Sequence, residues 1–331
     1  MFENSSILVT GGTGSFGNAF LKKTLQKYSP RKIVIFSRDE MKQWEMAKKF
    51  ENNSKVRFIL GDVRDRDRLS RALDGIDYVV HAAAMKIVPK SEYDPFECIK
   101  TNIDGAMNLV DIAIDRGVKK IVALSTDKAC SPSNLYGATK LISDKVFISG
   151  NTYSASPKTI FSVVRYGNVM GSRGSIIPLF LNKKDAKKLP ITDLRMTRFM
   201  ISLEEGVELV WKAFQDMCGG EIYVKKIKSM KVTDIALTIN PNANFEIIGC
   251  RPGEKIHEQM INAEDALTTY EFEDYFKIYP SIYHLPKDET KLKGKKVEEG
   301  FGYASNLNKE WMKKEELKLW IDNHKDEIGI I

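Results

Sequence analysis

Cysteine and histidine are scarce, and their spacing excludes most of the chemistry they would support. The 331-residue chain holds four cysteines (Cys98, Cys130, Cys218, Cys250) and four histidines (His81, His257, His284, His324). No CxxC occurs and neither set has metal-ligand spacing, so a structural zinc is not expected and no metal site is assigned. Dispersed free thiols suit a reducing cytosol. Long apolar runs are missing too: none reaches the roughly 18 residues of a membrane span. The opening Met1 to Asn4 lacks the basic and apolar regions of a secretory signal and leads straight into a strand. The expectation is a cytoplasmic protein without a membrane partner. There is no acidic excess: 51 Lys and Arg against 44 Asp and Glu give a formal net charge of +7. The lysine clusters (Lys183-Lys184, Lys187-Lys188, Lys293 to Lys296) read as solvated surface. No basic stripe interleaved with aromatics is present, so anionic small molecules are expected as partners and nucleic acid is not.

What is present is enough apolar material, 43% of residues, for one large core or two unequal domains. In the first half, short β-branched runs alternate with helical patterns. The runs are "SILVT" (5–10 with its flanks), "KIVIF" (32–36), "VRFIL" (56–60), "DYVVHAA" (77–83), "KKIVALS" (119–125) and "FSVVRYG" (161–167). Helices are predicted at about 15–28, 39–51, 65–74, within 92–116 and from Asn134. The runs are continuously apolar, as in parallel strands buried on both faces. The predicted fold is therefore α/β, a Rossmann-type doubly wound parallel sheet, over residues 1–167. After Gly167 the rhythm breaks, and 168–331 reads as a smaller mixed α+β substrate domain, with some segments returning to the Rossmann core. The tail 286–331 is charge-rich and weakly patterned.

The turn between the first strand and first helix, "VTGGTGSFG", carries Gly11, Gly14 and Gly17 in GxxGxxG spacing. Glycine admits positive φ and close backbone approach, and the helix N-terminus presents free N–H groups to a pyrophosphate. With its strand–turn–helix context the segment predicts a dinucleotide site at Gly11, Thr13, Gly14, Ser15, Phe16 and Gly17. An NAD site usually carries Asp or Glu at the end of the second strand. Here that strand ends in Ser37-Arg38, with Lys42 a turn later, which suits the 2′-phosphate of NADP. Asp39 and Glu40 follow; Asp39 borders the site and either could cap the next helix. Asp62-Val63 after the third strand would flank the adenine, and Ala82, Ala83 and Lys86 after the fourth would leave room for the cofactor.

Tyr136 and Lys140 lie at i and i+4 on one helix face. A tyrosine can take an alcohol proton if its pKa falls from about 10 toward working pH. The Lys140 ammonium and a nicotinamide cation are expected to lower it. With the glycine turn, this pattern resembles the extended short-chain dehydrogenase/reductases that act on sugar nucleotides, over nearly the whole chain. The resemblance implies a Ser or Thr at the end of the fifth strand. Ser125 and Thr126 are both available, and Thr126 matches better, bridging to the sugar C4 hydroxyl.

Asp127-Lys128 is surplus to a simple dehydrogenase. Oxidation of C4 acidifies the C5 proton, so a base there and an acid at the C6 hydroxyl would expel water. Sugar-nucleotide 4,6-dehydratases carry Thr-Asp-Glu at this point; this chain has Thr126-Asp127-Lys128. Together with "NLYGATK", "VVRYGNVMGSRGS", "ITDLRMTRF" and "IIGCRPGEK", this segment resembles the inverting UDP-N-acetylglucosamine 4,6-dehydratases, which begin pseudaminic acid synthesis for flagellin glycosylation. The resemblance implies Lys128 as the C5 base, Asp127 as the C6 acid, and a homo-oligomer. Base work requires neutral Lys128, hence an expected depression of its pKa by burial or cationic neighbours. It also requires the backbone to leave the strand at Asp127 so that both side chains face the sugar. Retaining relatives typically replace the tyrosine and add a membrane region, so Tyr136 favours the inverting type. For UDP-N-acetylglucosamine the assigned contacts are Lys86, Asn168, Arg173, Thr192, Arg251 and Glu254, with Arg195 and Arg198 as further candidates. A UDP-hexose C4-epimerase would leave Asp127-Lys128 idle, and an NADP-sensing binding protein would not need Thr126, Tyr136 and Lys140 together.

Overall fold

The structure is a computed structural model that describes residues 1–51, 53–153, 159–282, 294–325 and 328–329. His284 and Lys293 lie outside the described residues. The first half runs β1 (Ser6–Thr10), α1 (Ser15–Lys27), β2 (Lys32–Ser37), α2 (Glu40–Lys49), β3 (Val56–Leu60), α3 (Arg66–Ala72) and β4 (Tyr78–His81). It continues through α4 (Val88–Tyr93), α5 (Pro95–Ile99), α6 (Gly105–Asp115), β5 (Lys120–Thr126), α7 (Leu135–Tyr153) and β6 (Ile160–Tyr166). The remainder comprises β7 (Asn168–Val169), α8 (Ile176–Leu181), β8 (Lys188–Ile191), β9 (Thr197–Ile201), α9 (Leu203–Asp216), β10 (Ile222–Lys225), β11 (Ser229–Lys231), α10 (Val232–Ile239) and β12 (Asn244–Ile247). Last come β13 (Gln259–Ile261), α11 (Ala263–Ala266), β14 (Thr269–Glu271), β15 (Tyr275–Ile278), β16 (Lys295–Lys296), β17 (Tyr303–Ala304) and α12 (Lys314–Asn323).

One sheet of ten strands in the order β16-β14-β15-β10-β6-β5-β4-β1-β2-β3 organises the molecule. From β3 to β10 its strands are parallel. Beyond β10, β15, β14 and β16 add antiparallel pairs. The order 3-2-1-4-5-6 opens a crevice between β1 and β4, the switch point where dinucleotides bind in such sheets. β1 is buried along its whole length because helices cover both sheet faces, which accounts for its unbroken apolar run.

The predicted helical region 92–116 is broken into α4, α5, a π-helical turn over Lys100–Asp104 and α6. Pro95 cannot donate a backbone N–H, and Asp94 before it leaves helical geometry at φ −121°, ψ 63°. The π turn points Asn102 at the β4 exit loop, where it accepts from Met85 N (2.8 Å) and donates to Met85 O (3.0 Å) and Thr139 Oγ1 (3.0 Å). α2 begins at Glu40 because Asp39 caps it, accepting from Lys42 N at 3.0 Å. The weakly patterned tail contains α12, whose Leu317 and Ile321 are buried.

Two apolar clusters form. The larger surrounds the parallel sheet and includes Val207, Val210, Trp211 and Phe214 of α9 and the strands β10 and β15. The smaller gathers Met170, Ile177, Phe180, Leu189, Ile191, Met200, Met230, Ile235 and Leu317. Residues after 167 therefore divide between two cores, and the cleft between these cores holds the site.

Candidate active site

A single cavity of about 1220 Å³ runs from the β1–β4 crevice to the smaller core. Every residue assigned above to catalysis, cofactor or substrate lines it. At the dinucleotide end Gly11 has φ +62°, and a Cβ there would lie 2.8 Å from the Ala83 backbone. Only glycine permits both that conformation and that approach. Gly14 caps α1 with no side-chain hydrogen bond, so no capping side chain at Gly14 competes with an anion for the positive end of the helix. These features fit a pyrophosphate. At the β2 end, Ser37 Oγ and Thr13 Oγ1 are 2.8 Å apart. Arg38 is half exposed and stands 3.7 Å from Asp62, and Lys42 pairs with Asp39 at 3.0 Å. The hydrogen bonds of Lys42 hold the Asp39 carboxyl below its ordinary range, with a lesser pull from Arg173, which was assigned above to the sugar nucleotide and lines the same cavity. The loop after β7 thus shares the cavity with the dinucleotide end.

The reactive cluster sits where β5 stops. The strand ends at Thr126 and Asp127–Ala129 form a 3-10 turn capped by the Thr126 hydroxyl, which accepts from Lys128 N at 3.3 Å. This bend brings both side chains of the pair into the cavity, as base and acid work requires. Thr126 Oγ1 donates to Asp127 Oδ1 (2.8 Å), and Lys128 Nζ donates to the same oxygen (2.9 Å). Asp127 is only 1% exposed, so this is no surface ion pair. Ser125 faces the other way and donates to Asp144 at 2.8 Å, leaving Thr126 as the hydroxyl beside Tyr136. Lys140 donates to Leu124 O at 2.8 Å and is depressed by burial, against the pull of Asp144. Asp144 is in turn held by the fully buried Arg165 at 3.4 Å.

Two expectations fail. Burial pushes Tyr136 up to about 12, and the charge that most opposes this rise is Lys128, with the neighbouring Thr126 hydroxyl adding to it. The expected help from Lys140 does not dominate, because that amine is turned to the strand end. Burial by itself would depress Lys128, but Asp127 and Glu258 outweigh it and place its pKa above the ordinary lysine value. The amine therefore rests as an ammonium, not as the neutral base anticipated.

Sequence reasoning missed Glu258. Its Oε1 lies 3.2 Å from Lys128 Nζ and 3.8 Å from Arg198 Nε. The signal available was alternation in "HEQMI", which puts Glu258 on the same inward face as Met260. Arg198 belongs to the cavity wall, whereas Arg195 is exposed and pairs with its neighbour Asp193 at 2.8 Å. Arg251 and Glu254 are presented by a loop clamped to the start of α7. There Gly253 O accepts from Ser133 Oγ (2.9 Å) and Asn134 Nδ2 (2.8 Å), and Lys255 donates to Cys130 O (2.7 Å). Gly253 itself has φ +72°.

A family model described as polysaccharide biosynthesis protein matches residues 7–280. The chain belongs to this family. It is 54% identical to a UDP-N-acetylglucosamine 4,6-dehydratase (inverting) of Campylobacter jejuni subsp. jejuni, over 98% of this chain and 99% of that protein. It is 41% identical to a UDP-glucose 4-epimerase of Rickettsia rickettsii, over 84% of each chain. Among solved structures, Pen from Bacillus thuringiensis superposes with a TM-score of 0.88 at 37% identity, covering 97% of this chain and 99% of that one. The family member described above thus has the extended short-chain dehydrogenase/reductase fold. Among its described residues no helix is long and apolar enough to cross a membrane.

Proposed function

We propose that the protein is an inverting UDP-N-acetylglucosamine 4,6-dehydratase that uses NADP, with 1–167 mainly binding cofactor and 168–331 mainly binding the sugar nucleotide. The observation that carries this reading is the buried Asp127–Lys128 pair at 2.9 Å, beside Tyr136 in the same cavity. A dehydration needs an acid and a base next to its redox site, and an epimerization at C4 needs neither.

Bound NADP+ supplies the hydride acceptor for C4 and, once reduced, the donor for C6. Tyr136 takes the C4 hydroxyl proton, with Thr126 as its hydrogen-bond partner and positive charge required to bring its pKa down from about 12. Lys128 removes the C5 proton, and the electron pair passes into the C4 carbonyl. That pair then expels the C6 oxygen, which leaves as water with a proton from Asp127. The resting ammonium–carboxylate pair contains the same number of protons as the reactive amine–carboxylic acid pair. One proton passed from the amine to the Asp127 carboxyl across the 2.9 Å contact interconverts them, and with that proton on Oδ2, which has no hydrogen-bond partner among the described residues, Oδ1 stays an acceptor. Abstraction at C5 and donation at C6 regenerate the resting pair, and once C6 is reduced a solvent-derived proton closes C5 to give the 6-deoxy-4-ketone. NADP over NAD is supported by Ser37, Arg38 and Lys42 at the β2 end, where an NAD site would carry a carboxylate. Lys86, Asn168, Arg173, Thr192, Arg251 and Glu254 are assigned to the UDP-sugar. The inverted C5 product, UDP-2-acetamido-2,6-dideoxy-beta-L-arabino-hexos-4-ulose, its place at the start of pseudaminic acid synthesis for flagellin glycosylation, the cytoplasmic setting and a homo-oligomer are read from the family resemblance.

The deciding experiment is NMR of the product formed from UDP-N-acetylglucosamine and NADP in D2O. Loss of water, deuterium at C5 and the L-arabino configuration together are the expected result. The named epimerase relatives favour a second reading, UDP-hexose C4-epimerization. An unchanged product mass would establish it, and a retained C5 configuration would establish the retaining dehydratase. Tighter binding of NAD than NADP would overturn the cofactor assignment, and nucleotide binding without turnover would leave an NADP-sensing protein.

A further inference from the structure

The Lys128 amine has two carboxylate neighbours, and the proposed mechanism uses only one. Asp127 Oδ1 lies at 2.9 Å and Glu258 Oε1 at 3.2 Å. Glu258 is 2% exposed, and its cationic neighbours among the described residues are Lys128 and Arg198. Burying a carboxylate is costly unless it is paired, and its Oε2 has no hydrogen-bond partner. Its backbone is nonetheless fixed. Glu258 N donates to Ser305 Oγ (2.9 Å), Ser305 N donates to Glu258 O (2.7 Å), and Ser305 Oγ meets Thr197 Oγ1 (2.6 Å). A costly, rigidly held group aimed at the amine suggests a role at the amine.

An ammonium has three N–H groups and a neutral amine has two N–H groups and one lone pair. When Lys128 is neutral and the Asp127 acid proton sits on Oδ2, the oxygen without a hydrogen-bond partner, Asp127 Oδ1 and Glu258 Oε1 remain two acceptors at two tetrahedral positions and engage both N–H groups. The lone pair is then left in the remaining direction, which opens on the cavity. With Asp127 as the sole acceptor, rotation about the Cε–Nζ bond would leave the lone pair unaimed. We propose that Glu258 is a positioning residue that orients the neutral Lys128 amine by accepting one of its N–H groups, so that the lone pair faces the C5 proton of the sugar. This inference rests on the reading of Lys128 as the C5 base. It predicts that acceptor capacity matters at position 258 and that negative charge is secondary.

The test compares Glu258→Leu, Glu258→Gln and Lys128→Ala, following C4 oxidation by reduced-cofactor absorbance in a single turnover and C5 exchange by deuterium uptake. Misplacing a reacting group by about 1 Å can cost on the order of 10²-fold. Glu258→Leu is therefore expected to lose about 10²-fold in C5 exchange while C4 oxidation stays within about threefold. Glu258→Gln, whose amide oxygen still accepts, is expected to recover exchange to within about tenfold of the unaltered enzyme. A Gln variant as impaired as the Leu variant, or equal losses in both steps, would overturn the orientation role. If the Leu variant does not fold, Glu258→Ala carries the same comparison. If Lys128→Ala retains exchange, the base reading itself falls. If Lys128→Ala loses exchange while Glu258→Leu keeps it, only the role of Glu258 falls.

Discussion

The two halves of the reactive cluster are built differently. The hydride half, Tyr136 and Lys140, lies on one face of one helix, and its spacing is fixed by helical geometry. The elimination half is assembled from a strand end, a 3-10 turn, Glu258 just before β13 and Arg198 of β9, segments far apart in the chain. A locally encoded pair tolerates rearrangement elsewhere, whereas a cluster completed by residues distant in the chain depends on how those segments pack. Changes in the first half should therefore stop all chemistry, and changes in the second should separate the steps.

The largest effect is expected for Tyr136→Phe. Removing a general base typically costs 10²–10⁴-fold, and since C4 oxidation comes first, ketone formation, C5 exchange and water loss should fall together by about that factor. Rapid-quench analysis of all three checks this; surviving C4 oxidation would break the comparison. Lys128→Ala should divide the steps, abolishing C5 deuterium uptake while C4 oxidation persists and UDP binding is retained. It also leaves Asp127 and Glu258 buried without their shared cation, so a stability loss of about 3–5 kcal/mol is expected in denaturant titration.

A smaller effect is expected where the clamp between the lobes is strained. In Gly253→Ala a Cβ would stand 2.6 Å from Asn134 Cβ at φ +72°. The cost of about 1–2 kcal/mol should appear as roughly tenfold weaker UDP-sugar binding, with C4 oxidation of bound substrate unchanged. Isothermal titration with UDP reads it directly. Arg38→Ala is expected to have the smallest effect, lowering the preference for NADP over NAD by a few-fold to tenfold. Arg38 is 57% exposed, and solvent screens its charge. Parallel affinity measurements with both dinucleotides would show it, and an unchanged ratio would remove Arg38 from the 2′-phosphate site.

The parallel strands follow from continuously apolar runs, and the helices α1, α2 and α7 from the helical patterns between them and from the glycine turn, so their places were visible in the chain. The break at Asp94-Pro95 was a local signal within a region read as helical. The π turn at Lys100–Asp104 was not such a signal, because it exists to let Asn102 reach Met85. The division of 168–331 between two cores was unreadable at residue level. α9 and α10 are similarly amphipathic, and only packing sends one to the sheet and the other to Met230 and Leu317.

The sequence by itself determined the dinucleotide turn, the Tyr136–Lys140 register and the presence of an acid and a lysine after the fifth strand. Each depends on neighbours within a few residues, where covalent geometry fixes distance. The tertiary structure decided the charge states. A lysine takes its protonation from whatever shares its low-dielectric surroundings, and here the folded chain brings Glu258 to it. Asp127, its neighbour in the chain, and Glu258 together outweigh burial, so an expected neutral base rests as an ammonium; burial, which no spacing rule foretells, raises Tyr136.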